Sequence, residues 1–117
     1  MLVVGEHVLG HLEPQCARMA TPLCAGVGGT YLELCGALNG GLLVIGGLYG
    51  RTSLDQDDQL ALDLAARLRE RFLAELGTTR CAPLREKVQA PGGLGSCAAV
   101  VERAATMLLE LLAEAEA

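Results

Sequence analysis

Five residues in this chain could carry chemistry that ordinary side chains cannot: Cys16, Cys24, Cys35, Cys81 and Cys97. As thiolates they are nucleophiles towards disulfides and ligands for soft metals. Successive cysteines are 8, 11, 46 and 16 positions apart. No zinc ribbon, zinc finger, thioredoxin-type CxxC or CxxCH haem attachment is spelled out, so any site must be assembled by the fold from separate elements. The count is odd. The opening "MLVVGEHVLGHLE" has no basic leader, and Glu6 and His7 interrupt its apolar stretch. The expectation is a cytoplasmic protein whose cysteines are free thiols, metal ligands or a redox pair, without a secreted disulfide framework.

Local context differs among the five. Cys97 follows Ser96, a helix N-cap, and Cys81 falls in the first turn of a short helix opened by Thr78 or Thr79. A helix N-terminus stabilises a thiolate and lowers its pKa, so both are candidate reactive thiols. Equally, each can be a small buried hydrophobe, the commonest use of a free cysteine. Cys35 reads as lying inside a helix, next to Gly36 and one turn before Asn39, a polar residue in an apolar run. Asn39 can donate to a thiolate or cluster sulfur, or bond a neighbouring backbone group. His7 and His11 are four apart on one expected helix face and could bind a metal, but no HExxH motif or third ligand accompanies them.

The elements that must position these residues all read as helices, with no convincing two-residue alternation. Val3, Val4, His7, Val8 and His11 fit a first helical face, and Pro14 opens a short second helix to about Leu23. "CAGVGGT" is a glycine-rich turn. Thr30 and Glu33 then form a capping-box pattern for a helix running to Tyr49. Its run "LCGALNGGLLVIGGLYG" is uncharged and holds six glycines, which suit closely packed backbones or a bound group better than a membrane span. Ser53 and Gln56 form a second capping-box pattern, with Asp55, Asp57 and Asp58 in the first turn of a helix over 54–76. Its stripe is Leu60, Leu64, Leu68, Phe72 and Leu76, and Gly77 stops it. A short helix holds Pro83, "APGGLGS" is a loop, and a last helix spans 97–115. The expected fold is all-α: a single domain over 1–117, a bundle of about five helices with the Gly-rich helix central.

"CGALNG", Cys35 to Gly40, fits a CGAxxG motif. "AGVGG" precedes it, "LLVIGGLYG" follows, and then come a long helix with Phe72 near its end, Cys81 past a glycine, and Cys97 opening a final helix. In this order of features the chain resembles the C_GCAxxG_C_C family of small proteins to which redox activity is ascribed. The resemblance covers roughly residues 20 to 110. It implies an all-helical redox or cluster-binding protein in which four cysteines converge, with Gly36, Asn39 and Gly40 of the motif lining the site. The family carries its first cysteine in an N-terminal helix, where this chain has "GEHVLGHL" instead. The site would thus hold Cys35, Cys81 and Cys97 with Cys16 or Cys24 as a fourth member, or three cysteines alone.

Composition excludes other classes. With 14 acidic against 9 basic residues and 3% aromatics, the chain has neither the basic stripe nor the stacking platform of a nucleic-acid binder. "CAGVGG" lacks the Gly-Lys-Ser/Thr ending of a phosphate loop, and the Asp55–Asp58 cluster lacks the glycine and glutamate of a calcium loop. Two readings remain. One is thiol chemistry, either a dithiol/disulfide couple working with a redox partner or an iron-sulfur or zinc site. The other is a helical interaction module, in some form a homodimer, whose cysteines are core residues.

Overall fold

A computed structural model describes residues 1–116 of the chain. Six α-helices occur in them: α1 (Leu2–Leu9), α2 (Pro14–Ala20), α3 (Gly36–Tyr49), α4 (Gln59–Leu76), α5 (Cys81–Gln89) and α6 (Cys97–Glu116). A single 3-10 turn, Thr21–Leu23, extends α2. The all-helical expectation holds, with one helix more than the five expected.

The apolar stripes meet as their periods require. Leu64, Leu68 and Phe72 of α4 are buried against Leu38, Val44 and Ile45 of α3 and Val100, Met107, Leu108 and Leu111 of α6. Helix α3 packs on α1, α4 and α6. Its glycines explain how. A methyl added at Gly40 would stand 2.9 Å from the Met1 nitrogen, one at Gly47 3.0 Å from Leu9 Cδ1, and one at Gly41 2.8 Å from Leu68 Cδ2. Gly40 and Gly47 therefore seat α1, and Gly41 lets α4 approach. Each interior glycine costs about 1 kcal/mol relative to alanine, and close packing is what offsets it here. On the outer edge of the α4–α6 pair, Glu114 receives both Arg67 and Arg71, and Arg103 pairs with Glu75 at 2.8 Å.

Three helix starts differ from expectation, the mildest being α5, whose N-cap is Arg80 rather than Thr78 or Thr79. Helix α4 begins at Gln59, not near residue 54. The Thr52 N–H donates to Gln56 Oε1 at 2.8 Å, the Ser53 hydroxyl donates to Asp55, and the Gln59 N–H donates to Asp57 Oδ1 at 3.0 Å. Short polar side chains compete here for the backbone and hold 52–58 in turns, so Asp57 caps the helix from outside it. Helix α3 begins at Gly36, six residues past the expected cap at Thr30. The intervening segment bends at 31–33 and joins the start of α5 through a bridge at Leu34, and this decides where the cysteines lie.

Candidate functional site

Residues 31–35 run beside the start of α5. Leu34 and Arg80 form an isolated antiparallel bridge. The Cys35 N–H donates to the Thr79 carbonyl at 2.8 Å, and the Cys81 N–H donates to the Glu33 carbonyl at 2.9 Å. The Ala82 N–H reaches the Tyr31 carbonyl at 2.9 Å, and Arg80 Nη2 reaches the Leu32 carbonyl at 3.0 Å. In this pairing Cys35 lies opposite Thr79 and Cys81 opposite Glu33, so the two cysteines flank the bridge as diagonal neighbours. Cys35 is thereby the N-cap residue of α3, not an interior helical residue. The tertiary pairing with Thr79 holds its backbone extended, at φ −57° and ψ 134°.

Over this pair lies the glycine-rich loop. Ala25, Gly26, Val27, Gly28 and Gly29 are consecutive residues at positive φ, between 49° and 72°, and Tyr31 follows at 64°. Left-handed backbone costs a non-glycine residue about 1–2 kcal/mol, so Ala25, Val27 and Tyr31 hold strain that the surrounding bonds must outweigh. Those bonds include Gly28 N–H to the Pro22 carbonyl at 2.7 Å, Tyr31 N–H to the Ala25 carbonyl at 3.0 Å and Glu33 N–H to the Gly26 carbonyl at 3.1 Å. Gly26 is the closest point. A methyl there would stand 2.7 Å from Tyr31 Cα and 2.8 Å from Cys81 Cβ. At the loop's entrance, the Cys24 Cα would lie 3.7 Å from a methyl built on Gly36. The Cys24 segment thus lies beside the N-terminus of α3, at a spacing that an alanine at 36 would also fit.

Of the five thiols, Cys81 is buried at 6% exposure, Cys35 is half-buried, and Cys16, Cys24 and Cys97 are exposed. Burial pushes the Cys81 thiol above its usual range, the Cys35 charge adds to the rise, the Arg85 guanidinium opposes it, and Cys97 and Cys24 add further. Cys24, Cys35 and Cys97 thus each lie within electrostatic reach of Cys81. Cys16, on exposed α2, is not among the groups that act on Cys81.

The rise at Cys81 reverses the expectation of a lowered thiol. The N–H groups of Cys81 and Ala82 that would face a thiolate are already bonded to the Glu33 and Tyr31 carbonyls, and Pro83 has none. The end of α5 is closed, and desolvation dominates. Cys97 does open α6 as expected, with Ser96 Oγ accepting from the Ala99 N–H at 3.4 Å.

The remaining candidates lie elsewhere. Gly40 faces Met1 rather than the thiols. Asn39 is half-buried one turn beyond Cys35, and its N–H donates to the Cys35 carbonyl at 3.0 Å. His7 is in α1, whereas His11 follows its end and lies 3.5 Å from Glu13, so the two share no helix face. Among the described residues, no group of three or more His, Cys, Asp or Glu side chains stands in a metal-holding arrangement. The thiols as placed therefore do not fit a zinc ion or an iron-sulfur cluster, which require several thiolates converging on one point.

Sequence reasoning from local patterns missed Gly26, Thr30, Tyr31 and Arg85. Arg85 stacks on the Tyr31 ring, with Cζ 4.3 Å from its centroid, one turn beyond Cys81. The glycine cluster was the available signal for the loop. Nothing local marks Tyr31 or Arg85.

No curated protein matches the chain, and no solved structure matches it. A family profile described as "Putative redox-active protein (C_GCAxxG_C_C)" matches residues 1–111. With nearly its whole length covered, the chain belongs to the C_GCAxxG_C_C family.

Proposed function

We propose that the chain is a dithiol–disulfide redox protein of the cytoplasm, with Cys35 and Cys81 as its redox pair and Cys24 and Cys97 as flanking thiols. The observation that supports this reading is the reciprocal bonding across the Leu34–Arg80 bridge, with Cys35 and Cys81 as its diagonal flanks and the Cys35 charge acting on Cys81. The family's redox description agrees with it. Core filling would bury the cysteines, yet only Cys81 is buried, and this favours thiol chemistry over an interaction module.

In this reading the Cys35 thiolate attacks one sulfur of an external disulfide. A mixed disulfide forms, and the first thiolate leaves and takes up a proton. Cys81 then loses its proton and attacks Cys35 Sγ, releasing the second thiol. Two protein thiols become one disulfide, and the external disulfide leaves as two thiols carrying the two electrons and two protons. The raised Cys81 thiol makes it a poor first nucleophile, because a smaller share of it is thiolate, and leaves it the second, resolving role.

The test is oxidation of the reduced protein with a small-molecule disulfide, followed by mass mapping of cross-linked peptides. A Cys35–Cys81 cross-link that dithiothreitol reverses is the expected product. Absence of that cross-link overturns the assignment. So does an anaerobically prepared protein that carries stoichiometric iron or zinc on these thiols.

A further inference from the structure

Beside its backbone bonds, the loop over Cys81 is tied by one side-chain hydroxyl. Thr30 Oγ1 lies 2.9 Å from the Gly26 carbonyl and 2.8 Å from the Val27 carbonyl, sharing its proton between them, and accepts from the Leu32 N–H at 3.3 Å. Those two carbonyls belong to the stretch of positive φ whose Gly26 backbone rests on Cys81 Cβ. Thr30 itself is exposed, while Gly26 beneath it is buried. The hydroxyl thus ties the outside of the loop to the part that covers the thiol.

We propose that Thr30 is a positioning residue that holds the left-handed 25–29 loop closed over Cys81, so that reagents from solution meet Cys24 and Cys97 while Cys81 is reached from within the site. For its redox consequence this rests on the dithiol reading above: an open loop would let Cys81 attack an external disulfide directly and bypass Cys35. The shielding itself is a property of the reduced protein.

Site-resolved alkylation tests it. Fully reduced protein is treated with iodoacetamide under native conditions, and the rate at each cysteine is read by peptide mass spectrometry. In the wild type, Cys81 reacts at least about tenfold more slowly than Cys24 and Cys97. In Thr30→Val the Cys81 rate rises about tenfold, the effect of one lost hydrogen bond on a local opening equilibrium, with Cys24 and Cys97 unchanged. Thr30→Ser, which restores the hydroxyl, returns the Cys81 rate to the wild-type value. The proposal is overturned by a wild-type Cys81 that labels as fast as Cys97, by a Cys81 rate that Thr30→Val leaves unmoved, or by a Thr30→Ser protein that behaves like Thr30→Val. These rates involve no redox cycle. A missing Cys35–Cys81 cross-link would therefore refute the dithiol pair and leave the shielding result standing.

Discussion

Gly26 and Gly28 offer a paired measurement of how tightly the loop is held on Cys81. Both have left-handed backbone, with φ of 71° and 64°. Alanine at either position costs about 1–2 kcal/mol from backbone conformation alone. The two differ in what the new methyl meets. At Gly28 nothing lies within 4 Å, whereas at Gly26 the methyl would be 2.7 Å from Tyr31 Cα and 2.8 Å from Cys81 Cβ. Neither neighbour is the end of a flexible side chain. Tyr31 is held through its carbonyl bond to Ala82, and Cys81 through its N–H bond to Glu33. Overpacking of this kind adds about 1–3 kcal/mol. Gly28→Ala should therefore lose about 1–2 kcal/mol, and Gly26→Ala about 2–5 kcal/mol. Urea denaturation followed by circular dichroism, read from the midpoint at unchanged slope, gives both values. Equal losses for the two variants would refute the reasoning, because they would mean that the loop does not rest on Cys81.

Stability should fall on the alkaline side. The Cys81 thiol is raised in the folded state, chiefly by burial, so its contribution is fully present below the ordinary thiol pKa of about 8.5 and is lost as pH rises through the folded value. Unfolding midpoints measured from pH 7 to 10 should decline, and Cys81→Ala should flatten that decline. Phe72 is 0% exposed between α3, α4 and α6, so Phe72→Ala should cost about 3–5 kcal/mol in the same urea assay.

Much of the helical frame was legible because its signals are local. The leucine stripe and Gly77 mark the end of α4, and Gly77 does adopt the left-handed cap at φ 83°. Ser96 and the Val100–Leu111 stripe mark α6 in the same way. The start of α3 was not legible, and the reason is non-local. Thr30 and Glu33 have the spacing of a capping box, but the Thr30 hydroxyl turns back to Gly26 and Val27, and residues 31–35 are held out of the helix by carbonyl and N–H partners in 79–82. The same pairing moved Cys35 from a helix interior to a helix start and closed the end of α5, where Cys81 was expected to face open N–H groups. The six-glycine run announced close packing, but only the fold shows that Gly40 and Gly47 serve α1 rather than a bound group.

The bridge between Leu34 and Arg80 also bears on the order of assembly. It joins segments such as Leu32 and Arg80 that are 48 residues apart, and the α3–α4 hairpin lies between them. Contacts of such sequence separation form late, after the intervening chain has collapsed. During synthesis Cys16, Cys24 and Cys35 emerge while Cys81 is still absent. A chain oxidised at that stage can join only those early thiols to one another. For the proposed Cys35–Cys81 pair to form, the polypeptide must therefore stay reduced until α3 and α4 have docked.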